Sequence, residues 1–215
     1  MSKVLELVGS GTMGLPVGTV SVEVEMVGGG AGGGGVGGGA GQAGGGGGSS
    51  GVYRRFVWPA LANPNIGWAC GAAGAGGAAG QTGLPGERTL LAMDGFTVVA
   101  EGGQPGCGAS GAITSVGIGG GYSSLTPNLL NSGPVTQGAG HHGGCLPTGF
   151  GPFSWGGIGG GTPLGEGGRG TAGAFGAGGN ATGWGAGGGG ALGSDLTPAV
   201  GGNGSHGGIF ITIHP

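Results

Sequence analysis

The sequence predicts a mainly β and irregular fold: packed polyglycine II helices forming a glycine-rich sandwich, a few flanking β-strands and essentially no α-helix. Three observations predict it. Glycine supplies 71 of the 215 residues and gathers in runs such as Gly28-Gly29-Gly30-Ala31-Gly32-Gly33-Gly34-Gly35 and Gly187-Gly188-Gly189-Gly190. Segments patterned like ordinary strands lie between those runs, with the clearest apolar and polar alternation at the two ends of the chain. No segment sustains a 3.6-residue period, and each glycine weakens a helix by about 1 kcal/mol relative to alanine.

Residues 4–8 read as a short opening strand, turned through Gly9-Ser10-Gly11 and Leu15-Pro16-Val17-Gly18. Val20, Val22, Val24 and Met26 then alternate with Ser21, Glu23 and Glu25, which makes one face apolar and the other polar. In the middle of the chain, Thr89–Met93 and Phe96–Ala100 flank Asp94-Gly95, a dipeptide whose tolerance of positive φ favours a tight hairpin. Ile209, Ile211 and Ile213 alternate with Phe210, Thr212 and His214, and this closing strand is expected to pair with residues 20–26. The chain divides into an N-terminal strand and docking segment over 1–17 and a glycine-rich polyglycine II domain over 18–215.

Glycine-rich runs occupy roughly 28–51, 71–83, 102–121, 138–145, 156–179 and 183–193. An extended chain with three residues per turn points its donors and acceptors sideways, and the missing side chain lets neighbouring backbones approach and pair. Ordering each residue costs roughly 1 to 2 kcal/mol against about 0.5 to 1.5 kcal/mol per net hydrogen bond, so an isolated run loses and only a laterally saturated array can hold. Inserts without glycine runs, at 52–68, 122–136 and 146–155, are expected at the ends of these rods. They hold most of the aromatic residues, as hydrophobic plugs or as an exposed contact surface.

The abundance of glycine and proline matches low-complexity chains, but only 6% of residues are charged and four Trp and six Phe are present, unlike a disordered chain. No register keeps glycine at every third position through residues 52–68, which excludes collagen. Five basic residues against eight acidic ones, with only Arg54-Arg55 adjacent, leave no phosphate-tracking patch for nucleic acid. Residues 1–8 carry no signal-peptide pattern, and no apolar stretch is long enough for a membrane span. Cys70, Cys107 and Cys145 are odd in number and far apart, which fits a reducing compartment.

Chemical motifs carry little weight here. Gly47-Gly48-Ser49-Ser50-Gly51 fits the nucleophile-elbow pattern without its strand-turn-helix context, and Lys3 is no phosphate-loop lysine because Ser2 precedes it. His141-His142 and Cys145 could supply metal ligands, with His206 and His214 as distant additions, but adjacent histidines point differently and a convincing fourth ligand is absent. Glu87, Asp94, Glu101 and Glu166 form no identifiable catalytic pair. The expectation is a protein that is not an enzyme and holds no cofactor and no metal.

The run Leu15-Pro16-Val17-Gly18-Thr19-Val20-Ser21-Val22-Glu23-Val24-Glu25-Met26-Val27 into Gly28-Gly29-Gly30, the Met93-Asp94-Gly95 turn before a strand and Glu101-Gly102-Gly103, and the closing Gly201-Gly202-Asn203-Gly204 through Ile213 together cover nearly the whole chain. In this order they resemble the glycine-rich domain of bacteriophage tail and tail-fibre proteins, including polyglycine-sandwich adhesins. The resemblance implies a virion structural protein, assembled in the host cytoplasm, whose rod-end loops contact a host glycan or outer-membrane protein. It also implies other virion proteins as partners and a homo-oligomer, with a trimer favoured. On the aromatic inserts the contact residues are Tyr53, Arg54, Arg55, Phe56 and Trp58, then Phe150, Phe153 and Trp155. A capsid-vertex or minor structural role without receptor contact is an alternative, and an ice-binding role is another.

Overall fold

A computed structural model describes residues 2–38, 42–59, 65–109, 135–136, 144–145, 154–194 and 197–215. Its strands in chain order are β1 (Lys3–Leu7), β2 (Ser10–Gly14), β3 (Ser21–Val27), β4 (Ala43–Gly44), β5 (Tyr53–Pro59), β6 (Asn65–Ala69), β7 (Thr89–Met93), β8 (Phe96–Ala100), β9 (Val135–Thr136), β10 (Gly144–Cys145), β11 (Ser154–Trp155), β12 (Gly165–Glu166), β13 (Thr182–Gly183), β14 (Leu192–Gly193) and β15 (Gly208–His214). Among the described residues there is no helix.

Two antiparallel sheets, in the orders β1-β15-β3-β5-β9 and β2-β6-β7-β8, form a sandwich. The alternation that marks β3 and β15 sets their register: Val22, Val24 and Met26 lie opposite Ile213, Ile211 and Ile209, all buried on the inner face. From the other sheet, Ile66, Leu91, Met93 and Val98 complete the same core. The β7–β8 hairpin turns through Asp94 and Gly95 with φ of 50° and 77°, the two left-handed residues that its two-residue loop demands. Within residues 1–17, β1 pairs along β15 and β2 pairs along β6.

The glycine-rich segments form a hydrogen-bonded bundle. Segment 28–37, which continues from β3, lies at its centre, and its hydrogen-bond partners rotate with a period of three residues. Gly29, Gly32 and Gly35 donate to the carbonyls of Glu87, Leu84 and Gln81; Gly30, Gly33 and Val36 to those of Ser205, Gly202 and Ala199; Gly28, Ala31 and Gly34 to those of Val52, Ser49 and Gly46. These three neighbours run antiparallel to it. Its carbonyls accept from three parallel neighbours, through Gly74 and Gly77, through Gly103, Gly106 and Ala109, and through Gly188 and Ala191.

The six neighbours also bond to one another and close a ring around the central segment. Gly45 donates to Ala191, Gly46 to Cys107, Gly83 to Gly106, Leu84 to Ala75, Gly201 to Gly77 and Gly202 to Gly189. Segments 156–160, 165–171 and 176–181 add to one side through Gly157 to Gly45, Gly168 to Gly187, and Gly189 to Gly179. Glycine is a steric requirement at the centre. A Cβ built on Gly34 would collide with the Cys107 carbonyl, and one on Gly188 with that of Gly202.

Side chains appear where a segment faces outward, again at every third position. Thr197, Val200, Asn203 and His206 form one exposed column, and Glu166, Arg169 and Ala172 another. Some of them seal the backbone edge. Asn203 Oδ1 accepts from Gly76 N–H at 2.8 Å, His206 Nδ1 from Ala73 N–H at 3.3 Å, and Asn180 Oδ1 from Asn203 N–H at 2.8 Å. These contacts blunt the edge much as natural sheets protect theirs.

Candidate contact surfaces

The cluster at 53–58 belongs to β5, whose alternation divides it between the two faces of a sheet. Phe56 and Trp58 point inward and are 7% exposed, with ring centroids 6.4 Å apart, and Trp58 packs at 5.8 Å against Phe96 of the opposite sheet. They are therefore plugs of the sandwich core and correct the expectation of an exposed tip at these two rings. Arg54, opposite Met26, is also inward and 2% exposed. Burial lowers the pKa of its guanidinium, with Glu101 opposing the shift.

Tyr53 and Arg55 take the outer face with Glu23 and Glu25. The Tyr53 hydroxyl donates to Glu25 Oε2 at 2.9 Å, and Arg55 Nε donates to Glu23 Oε1 at 2.6 Å. Burial, then the bond to Glu25, pushes the Tyr53 pKa up to about 12. The hydrogen bond to Glu23, reinforced by the charge of Glu23 and that of Glu25, raises the Arg55 pKa. Of the five residues in the cluster, Arg55 alone is exposed, and its contacts are with its own sheet.

Phe150, Phe153, His141 and His142 lie outside the described residues. Cys145 pairs with Ser154 in the β10–β11 ribbon. Among the described residues no group of three His, Cys, Asp or Glu side chains could hold a metal.

Among the described residues, Trp155 is the predicted contact residue with an exposed ring. It is 39% exposed and lies at the end of the bundle remote from the sandwich, where it bridges Ala172. Sequence reasoning missed two companions on that part of the bundle. Phe175, 43% exposed, follows the turn at Ala172-Gly173-Ala174, and Ile158, 53% exposed, stands three residues along from Trp155 on the same outward column. A lone ring inside a glycine run and a three-residue spacing were the available signals. Hydroxyl groups stand at the same end, where Ser194 and Thr197 share a 2.8 Å hydrogen bond and Thr171 donates to Ala177 at 2.6 Å.

Compared with known proteins, the chain matches no protein-family model and no curated protein.

Proposed function

We propose that the glycine-rich segments are polyglycine II helices and that the protein is a bacteriophage virion component without enzymatic activity. In this reading it is a tail-fibre or spike-tip module that touches a host glycan or outer-membrane protein. The helix assignment is supported by the three-residue rotation of partners around segment 28–37, which matches three residues per turn and a repeat of about 9.3 Å.

The contact reading rests on one observation: Trp155 and Phe175 stay exposed at the bundle end remote from the sandwich, while the rings of β5 are buried. Exposed aromatic rings on a hydrogen-bonded framework provide contact area at small entropic cost. The sandwich end is left to join other virion proteins, and a homotrimer is the proposed assembly.

The test is attachment of the purified protein to host cells, read by flow cytometry. A W155A/F175A double variant should lose attachment while melting like the wild type. Undiminished attachment by that variant overturns the surface. If the wild type binds no host cells and competes with no infection, yet co-assembles with a capsid or fibre partner, the purely structural role replaces host contact.

A further inference from the structure

The long strands differ in what they lead to. β3 runs into segment 28–37, β6 into 71–78 and β8 into 101–109, while 45–52, 81–87 and 199–207 run into β5, β7 and β15. β1 and β2 instead join each other through Val8-Gly9. Beside that link lies a cavity of about 260 Å³, bounded by Val8, Cys70, Ala72, Trp184 and His206.

Three backbone donors around it are engaged. Gly71 N–H donates to Thr89 Oγ1 at 2.9 Å, Ala73 N–H to His206 Nδ1 at 3.3 Å, and Gly207 N–H to the Gly71 carbonyl at 2.9 Å. The cavity's larger walls are apolar: the Trp184 ring is braced edge-on by Phe210 at 5.9 Å, and Cys70 lines the cavity with its thiol donating to the Leu7 carbonyl at 3.2 Å. Because His206 Nδ1 accepts a hydrogen bond, the neutral form of the ring carries its proton on Nε2, and His206 is one of the residues that line the cavity.

From this combination we infer that the cavity binds a small apolar ring carrying one hydrogen-bond acceptor. An apolar protein cavity of about 150 Å³ accommodates benzene, so the volume here leaves room for a substituted ring. The inference does not depend on host contact, since the cavity lies at the junction with the sandwich and Trp155 at the opposite end.

Cyclohexanone, a ring with one acceptor, and toluene, a ring with none, are suitable probes for the ¹⁵N-labelled full chain. Cyclohexanone should give saturable shifts at the Gly71, Ala72 and Gly207 amides and the Trp184 indole, with millimolar affinity. H206F should weaken cyclohexanone several-fold and leave toluene unchanged. A72F, which fills the space, should abolish both. Absence of saturable shifts in the wild type, or their persistence in folded A72F, overturns the site. If A72F does not fold, mass spectrometry of Cys70 alkylation in the unmutated protein decides: saturating cyclohexanone should slow the reaction, and an unchanged rate overturns the proposal.

Discussion

In the sandwich, Val24, Ile211 and Leu91 are fully buried and their side chains fill the space between two sheets, while backbone hydrogen bonds stay within each sheet. In the bundle, residues 28–36 are equally buried, yet apart from Ala31 and Val36 they are all glycine, and their backbone bonds reach six neighbours. The first region draws its stability from apolar area, at about 25 cal/mol per Å² removed from water, and tolerates side chains of similar volume. The second gains little from that source. Its close backbone approach depends on having no side chain, so substitutions that are mild in one region are severe in the other.

The largest effect should come from placing a side chain inside the bundle. G34V, or equally G188V, should destabilise by a few kcal/mol through overpacking and broken lateral hydrogen bonds, lowering the thermal midpoint strongly. G67A in β6 is the control, because the nearest atom to its new Cβ is 3.7 Å away. Equal melting of G34V and wild type would mean that the bundle is not close-packed.

W58A tests the sandwich by the opposite operation, deletion. Loss of the ring that spans the sheets should cost about 3 to 5 kcal/mol in chemical denaturation. An unchanged midpoint would remove Trp58 from the core.

Thr89 joins the two regions. Its buried hydroxyl donates to the Val27 carbonyl at 2.7 Å and accepts from Gly71 N–H at 2.9 Å. T89V keeps the shape and leaves both partners unsatisfied, so a loss of about 1 to 3 kcal/mol is expected. Faster hydrogen exchange at Gly71 would localise the damage to the junction.

A smaller effect is expected at high pH. The Tyr53 pKa is raised to about 12 in the fold against 10.0 in a free tyrosine, so the folded state favours the neutral phenol. That contribution is full below pH 10 and is lost as pH rises from about 10 to 12, when the unfolded chain ionises first. Denaturation midpoints across this range should fall less in Y53F than in wild type, and parallel curves would refute the linkage.

R55A should change least. The Arg55 pair with Glu23 lies on the solvent face of the sandwich, where water and salt screen it, so its melting curve should overlay that of the wild type. A clear drop would show that this outer face is held by charge.

Particular residues show how far sequence reasoning reached. Alternation placed β3 beside β15, and Asp94-Gly95 gave the hairpin, because both signals are local and depend on one strand or one turn. Phe56 and Trp58 were harder to read. Their composition suits a contact surface and a core equally, and only the facing sheet with Phe96 assigned them to the core. Arg54-Arg55 looked like one cationic pair, but a strand sends neighbours to opposite faces, so one arginine is buried and the other is exposed.

By itself, the sequence determined strands at both ends with extended glycine-rich segments between them, and no helix among the described residues. These are properties of backbone freedom and short-range periodicity, which composition carries directly. The tertiary structure decided which segments neighbour segment 28–37, which outward columns carry side chains, and which rings remain exposed. Those outcomes follow from hydrogen bonds between residues far apart in the chain, such as Gly33 and Gly202, and one glycine looks like any other until its neighbours are fixed.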